Sequence, residues 1–174
     1  MQSEFGTFDH RGFSIEYPID WMNITRRATK FRQLPIVAYG YRSKRKGLLG
    51  AIADAIYWRM DAEFAIFSLP LKEVRAKLSS EPKSDADAIV FDYILSRFGL
   101  SKTGVEVLVK QKEVLSGRRS YHLTVNASGR QYEFHLVIVS KDVGIMLRHV
   151  APLRILGNFK ETFERMVQSF KMKG

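Results

Sequence analysis

The stretch from Val105 to Val150 constrains this chain most, because it carries four β-strand patterns in a row joined only by short turn signals. Strands are predicted over Val105–Leu115, Arg118–Asn126, Gln131–Ser140 and Val143–Val150. Ser116-Gly117, Ala127-Ser128-Gly129-Arg130 and Lys141-Asp142 separate them. Such connections make hairpins, so the segment reads as an antiparallel meander. Register follows from matching faces, since a one-residue slip would turn every apolar side chain outward. Pairing Asn126 with Gln131 sets Leu123 opposite Phe134 and Tyr121 opposite Leu136. Pairing Ser140 with Val143 sets Ile138 opposite Ile145 and Leu136 opposite Leu147.

The rest of the chain supplies further strands and two kinds of cover. Phe5–Phe8 and Phe13–Tyr17 read as strands around the turn Asp9–Gly12, and Pro18 stops the second. Trp21 is a core anchor, and Met22–Thr25 resumes a strand. Leu34–Tyr41 and Ala62–Leu69 are two more. Leu48–Tyr57 fits a short helix or a strand equally. Pro70 suits a first helical turn, and Leu71, Val74 and Leu78 continue at helical spacing. A second helix is predicted from an N-cap at Ser84, with Asp85 and Asp87 favoured by the helix dipole, to about Phe98, with Gly99 as its stop. A third is predicted from Leu153 to Phe170, with Leu156, Phe159, Phe163, Met166, Val167 and Phe170 in one stripe meant to cover the sheet.

Composition narrows the function classes. The 174 residues include no cysteine, which excludes disulfides, thiolate nucleophiles and cysteine-held metals. No run approaches the ~20 uncharged apolar residues of a membrane span. The opening Met1-Gln2-Ser3-Glu4 has neither a basic nor an apolar leader segment, so a cytoplasmic location is expected unless a signal or anchor lies upstream. Lys and Arg number 28 against 18 Asp and Glu, a net charge of +10, which favours acidic partners.

Phe13-Ser14-Ile15-Glu16-Tyr17-Pro18 followed by Trp21 resembles the opening of PsbP-like domains, in which an aromatic-led strand runs into Tyr-Pro and a Trp follows closely. The amphipathic end, from Phe159 through Phe163, Met166 and Val167 to Ser169-Phe170, resembles them too. The resemblance implies an α+β fold with an antiparallel sheet sandwiched between helices, an α/β/α sandwich. Residues 1–174 then read as one such domain, with an insertion at 42–57. Known users of that architecture are mostly docking proteins: an extrinsic subunit of photosystem II, a Ran-binding nuclear transport factor and bacterial effector chaperones. The resemblance brings no catalytic motif, and Phe13, Tyr17, Pro18, Trp21 and Phe170 read as core and turn positions.

The residues themselves agree with a non-enzymatic protein. There is no Gly-x-Ser-x-Gly, His-Glu-x-x-His, phosphate loop or dinucleotide fingerprint. No cofactor and no small-molecule substrate is expected. The best local constellation is histidine-based. The registers above set His122 opposite His135, with Glu133 and Thr124 on the same face. Arg148 falls opposite His135, and His10 and His149 stand apart. His122 and His135 either bind a divalent metal or pack and hydrogen-bond on a polar sheet face, and the nearby Arg148 favours the latter. A metal-dependent enzyme at this sheet is therefore one alternative.

Charge offers the other candidates. Arg26, Arg27, Lys30 and Arg32 precede one predicted strand, and Arg42, Lys44, Arg45 and Lys46 follow it. The expected role is an adaptor whose Arg42, Lys44, Arg45 and Lys46 meet an acidic protein surface. Nucleic acid, with Tyr39, Tyr41 and Tyr57 stacking on bases, and an anionic membrane are the alternatives. A merely solvated basic loop is the plain reading of the same residues.

Overall fold

A computed structural model describes residues 4–26, 34–43, 60–80, 85–100 and 104–174. Ten strands occur among them: β1 (Phe5–Asp9), β2 (Phe13–Pro18), β3 (Met22–Asn23), β4 (Val37–Tyr41), β5 (Ala62–Pro70), β6 (Val105–Leu115), β7 (Arg118–Ala127), β8 (Arg130–Ile138), β9 (Val143–Pro152) and β10 (Lys171–Met172). The helices are α1 (Lys72–Ser80), α2 (Ala86–Arg97) and α3 (Lys160–Ser169). No helix among the described residues is long and apolar enough to cross a membrane.

The meander forms as predicted and is the larger part of a seven-stranded sheet, ordered β3-β4-β5-β9-β8-β7-β6. Two tight hairpins set most of its register. Ser116 and Gly117 both take positive φ, as do Ser128 and Gly129. That geometry matches the right-handed twist of the flanking strands. It pairs Leu115 with Arg118 and Ala127 with Arg130, so His122 faces His135 and Leu123 faces Phe134, as expected.

The third hairpin differs from expectation by one residue. Ile138 pairs with Gly144, and Val137, rather than Ile138, faces Ile145. Lys141-Asp142 does not close a two-residue loop. Instead the N–H groups of Val139 and Ser140 both donate to the Val143 carbonyl, at 3.1 and 3.0 Å. Gly144 suits this register because a Cβ there would lie 2.7 Å from Leu136 Cδ1. Because side chains alternate, the slip exchanges the faces of Arg148 and His149.

Each face of the sheet is covered. Phe67, Leu123, Phe134, Leu136 and Met146 pack beneath Val90, Ile94 and other residues of α2, together with Val74 of α1. On the opposite face, Phe64, Ile66 and Leu147 meet Phe163 and Met166 of α3, along with Phe13 and Ile15 of a three-stranded sheet ordered β1-β2-β10. The α/β/α layering is therefore present, with this small sheet joining α3 as cover.

Three helix boundaries move. Pro70 closes β5 by pairing with Val143, and α1 begins at Lys72. Asp85 caps α2 by accepting from the Asp87 N–H, while Ser84 lies outside the described residues. The last helix is shorter than predicted, because Leu153–Asn158 winds as a 3₁₀ segment and α3 follows it. Gly157 in that segment disfavours a continuous α-helix. Leu48–Tyr57 lies outside the described residues.

Candidate functional site

The meander brings Glu113 of β6, His122 of β7, Glu133 and His135 of β8 and His149 of β9 onto one face. The pairings Glu113–Ser120, His122–His135 and Glu133–His149 place them there. The two central imidazoles stack at 4.3 Å. Glu133 Oε1 lies 2.9 Å from His135 Nε2 and 3.1 Å from His122 Nε2. On the other side of the rings, Glu113 Oε1 lies 2.7 Å from His135 Nδ1, and its Oε2 lies 3.8 Å from His122 Nδ1. Thr124 Oγ1 and His122 Nε2 are 3.0 Å apart, and Gln111 Nε2 lies 3.4 Å from His122 Nδ1.

An ionised carboxylate only accepts hydrogen bonds, so these contacts fix the protons. His135 donates from both nitrogens. Burial opposes a charge on it, but the bonds to Glu113 and Glu133 outweigh burial and raise its pKa to about 9. Burial likewise opposes ionisation of Glu133, yet hydrogen bonds from His122 and His135, with the His149 ring nearby, hold its carboxyl far below the usual range. Glu113 is lowered too, because its bond to His135 overcomes its burial. His122 turns Nε2 toward Glu133 and Nδ1 toward Gln111 and Glu113.

His149 behaves differently. It is fully enclosed, stacked 4.5 Å from the Phe163 ring and 5.2 Å from Phe64. Its Nδ1 stands 3.7 Å from Glu133 Oε2, and neither ring nitrogen has a hydrogen-bond partner. Burial pushes its pKa down, so it is the neutral member of the group.

The structure thus brings His122 and His135 together and corrects two expectations around them. His149 joins the cluster instead of standing apart. Arg148 leaves it for the other face, where its guanidinium lies over Phe67 and Phe98 and within 3.3 Å of Glu63. Glu113 was not anticipated, although the Ser116-Gly117 turn carries the signal: a hairpin centred there puts Glu113 on the His122 face.

The basic candidates are only partly visible. Arg42 directly follows β4, beside Ser43, whose N–H and hydroxyl donate to Asp61 at 2.8 and 2.7 Å. Lys44, Arg45 and Lys46 lie outside the described residues, as do Arg27, Lys30, Arg32 and Tyr57. Tyr39 is buried and stacked on Tyr17 at 4.1 Å, while Tyr41 packs against Phe159. Tyr39 is therefore core rather than a platform for bases. A recess of about 870 Å³ lined by Trp21, Tyr41, Asp61, Arg154 and Phe159 shares no residue with the histidine cluster.

No family model and no curated protein matches the sequence. Solved structures do match its fold. The cyanobacterial PsbP of Synechocystis sp. PCC 6803 superposes with a TM-score of 0.61 at 11% identity, covering 99% of this chain and 95% of that one. LpqN, involved in cell envelope biogenesis of Mycobacterium tuberculosis, gives 0.57 at 12% identity over 98% and 92%. The Ran-binding protein Mog1p of Saccharomyces cerevisiae gives 0.54 at 12% identity over 97% and 95%. The chain has the PsbP-like fold.

Proposed function

We propose that this protein is a non-enzymatic docking domain that binds an acidic protein partner along the β6 edge. The observation that carries the reading is that strand. Among the described residues β6 is eleven residues long and pairs with β7 alone, and Val107, Leu108 and Val114 are exposed on it. A long edge with exposed apolar side chains can take an added strand from a partner, whose backbone then satisfies the open ladder. Lys110, Lys112 and Arg119 stand beside this edge, Lys112 paired with Asp87 at 2.9 Å, and the net charge of +10 draws acidic chains toward the protein as a whole. The Ran-binding protein that shares the fold supports protein docking as one use of this architecture. Arg42, Lys44, Arg45 and Lys46 are proposed as a second electrostatic contact, on the strength of their sequence.

A low-salt pull-down from the source organism's lysate, with and without nuclease, tests the reading. Leu108→Glu/Lys110→Glu/Val114→Glu and Arg42→Glu/Lys44→Glu/Arg45→Glu/Lys46→Glu run beside the wild type. The expected result is a protein that survives nuclease, is lost with the β6 variant and is weakened by the other. Capture abolished by nuclease would overturn the reading in favour of nucleic acid. Equal capture by all three proteins would remove the proposed surface.

A further inference from the structure

We propose that Glu113, His122 and His135 form a binding site for a divalent transition-metal ion of the zinc class. Their ligand atoms all lie within 4.8 Å of one another. Two imidazoles and a carboxylate are a donor set that zinc takes, with a fourth position left to water or a side chain. Gln111, whose Nε2 lies 3.4 Å from His122 Nδ1, would fill it only by turning its amide oxygen inward.

What sets this group apart from an ordinary polar patch is Glu133. Its Oε1 holds the Nε2 side of both rings, at 2.9 and 3.1 Å, and so turns both Nδ1 atoms toward Glu113. A carboxylate behind each ligating imidazole is the usual outer support of a histidine metal site, fixing tautomer and ring orientation. Here one carboxylate serves two rings.

The charge and access also fit. Arg148, the cation expected beside His135, lies on the opposite face, and Arg118 donates to the Val139 carbonyl at 3.2 Å. Two carboxylates thus face the two imidazoles. The ion takes the place of the proton that His135 Nδ1 now shares with Glu113, and that proton leaves to solvent. Zinc–nitrogen bonds are ~2.0–2.1 Å, so the rings, stacked at 4.3 Å, must splay toward Glu113. Glu113 and His122 keep 24% and 15% exposure, which gives the ion an entrance from the side of β6.

Calorimetric titration of the chelator-treated full chain with zinc chloride tests the assignment, with thermal unfolding and circular dichroism alongside. The wild type should bind one ion and melt higher with zinc. Glu113→Gln and His122→Gln should each bind at least ~10-fold more weakly and lose the zinc-dependent rise in melting temperature while keeping the wild-type dichroism spectrum. His10→Gln, on the β1–β2 turn and outside the cluster, should titrate as wild type. No heat and no melting shift in the wild type at 100 μM zinc would overturn the proposal, and so would unchanged zinc affinity in both cluster variants. Should one variant fail to fold, the other carries the comparison.

Discussion

Two parts of the same sheet face, continuous in hydrogen bonding, have opposite chemistry. Under α3, Phe64, Ile66 and Leu147 are sealed among aromatic rings. Two strands further on, Gln111, Glu113, His122 and Glu133 remain partly open to water. His149 stands at the join, stacked on Phe163 yet 3.7 Å from Glu133. The cover decides which side chains a position tolerates, since a strand has no preference of its own between its faces. Where the helix ends, carboxylates and imidazoles satisfy one another instead.

The sharpest way to break this contrast is to remove the cover. Phe163→Ala should cost about 3–5 kcal/mol in urea unfolding, because Phe163 is nearly inaccessible and its loss opens a cavity over His149 and Trp21. A loss below about 1 kcal/mol would mean that α3 does not seal that half.

The polar half should respond to pH. His135 has a raised pKa in the folded protein, about 9 against an ordinary value of 6.5, so the folded state holds its proton more tightly. The resulting stability is fully present below about pH 6.5 and is lost as pH rises through about 9, by roughly 3 kcal/mol in total. His149 acts in the opposite direction. Its pKa is lowered, so it weakens the fold as pH falls below its ordinary range. Denaturant titrations from pH 6.5 to 9.5 should therefore show a decline that Glu113→Gln makes shallower. An unchanged slope in that variant would separate His135 from Glu113.

The smallest effect should come at the join. His149→Phe removes two unpaired ring nitrogens and keeps a ring against Phe163, so stability should change by less than about 1 kcal/mol. A loss of several kcal/mol in thermal unfolding would show that its contact with Glu133 matters more than the packing.

Much of this was legible in the sequence because hairpins are local. Ser116-Gly117 and Ser128-Gly129 announce their own geometry, and from the second the His122–His135 pairing follows by counting. Lys141-Asp142 announces none. The space that favours Gly144 is filled by Leu136 on the neighbouring strand and by Leu71 just before α1, which a local pattern does not reveal. That one slip hid His149 and misplaced Arg148. The two-residue β10 was equally silent, since nothing in Lys171-Met172 marks it as a partner for β2. The single long helix expected over Leu153–Phe170 failed at Gly157, where an apolar stripe outweighed a poor helix former in the reading but not in the structure.

The tie between chain ends bears on synthesis. Ser169 Oγ accepts from the Glu16 N–H across 153 residues of sequence, and β10 then closes the small sheet on β2. Contacts of such separation form late, because the intervening loop must first be ordered. On the ribosome, β1 and β2 emerge well before α3, so Phe13 and Ile15 gain the part of their cover that α3 supplies only later. Until then the β1–β2 hairpin leaves apolar surface exposed, the condition in which a folding chain is most prone to aggregate.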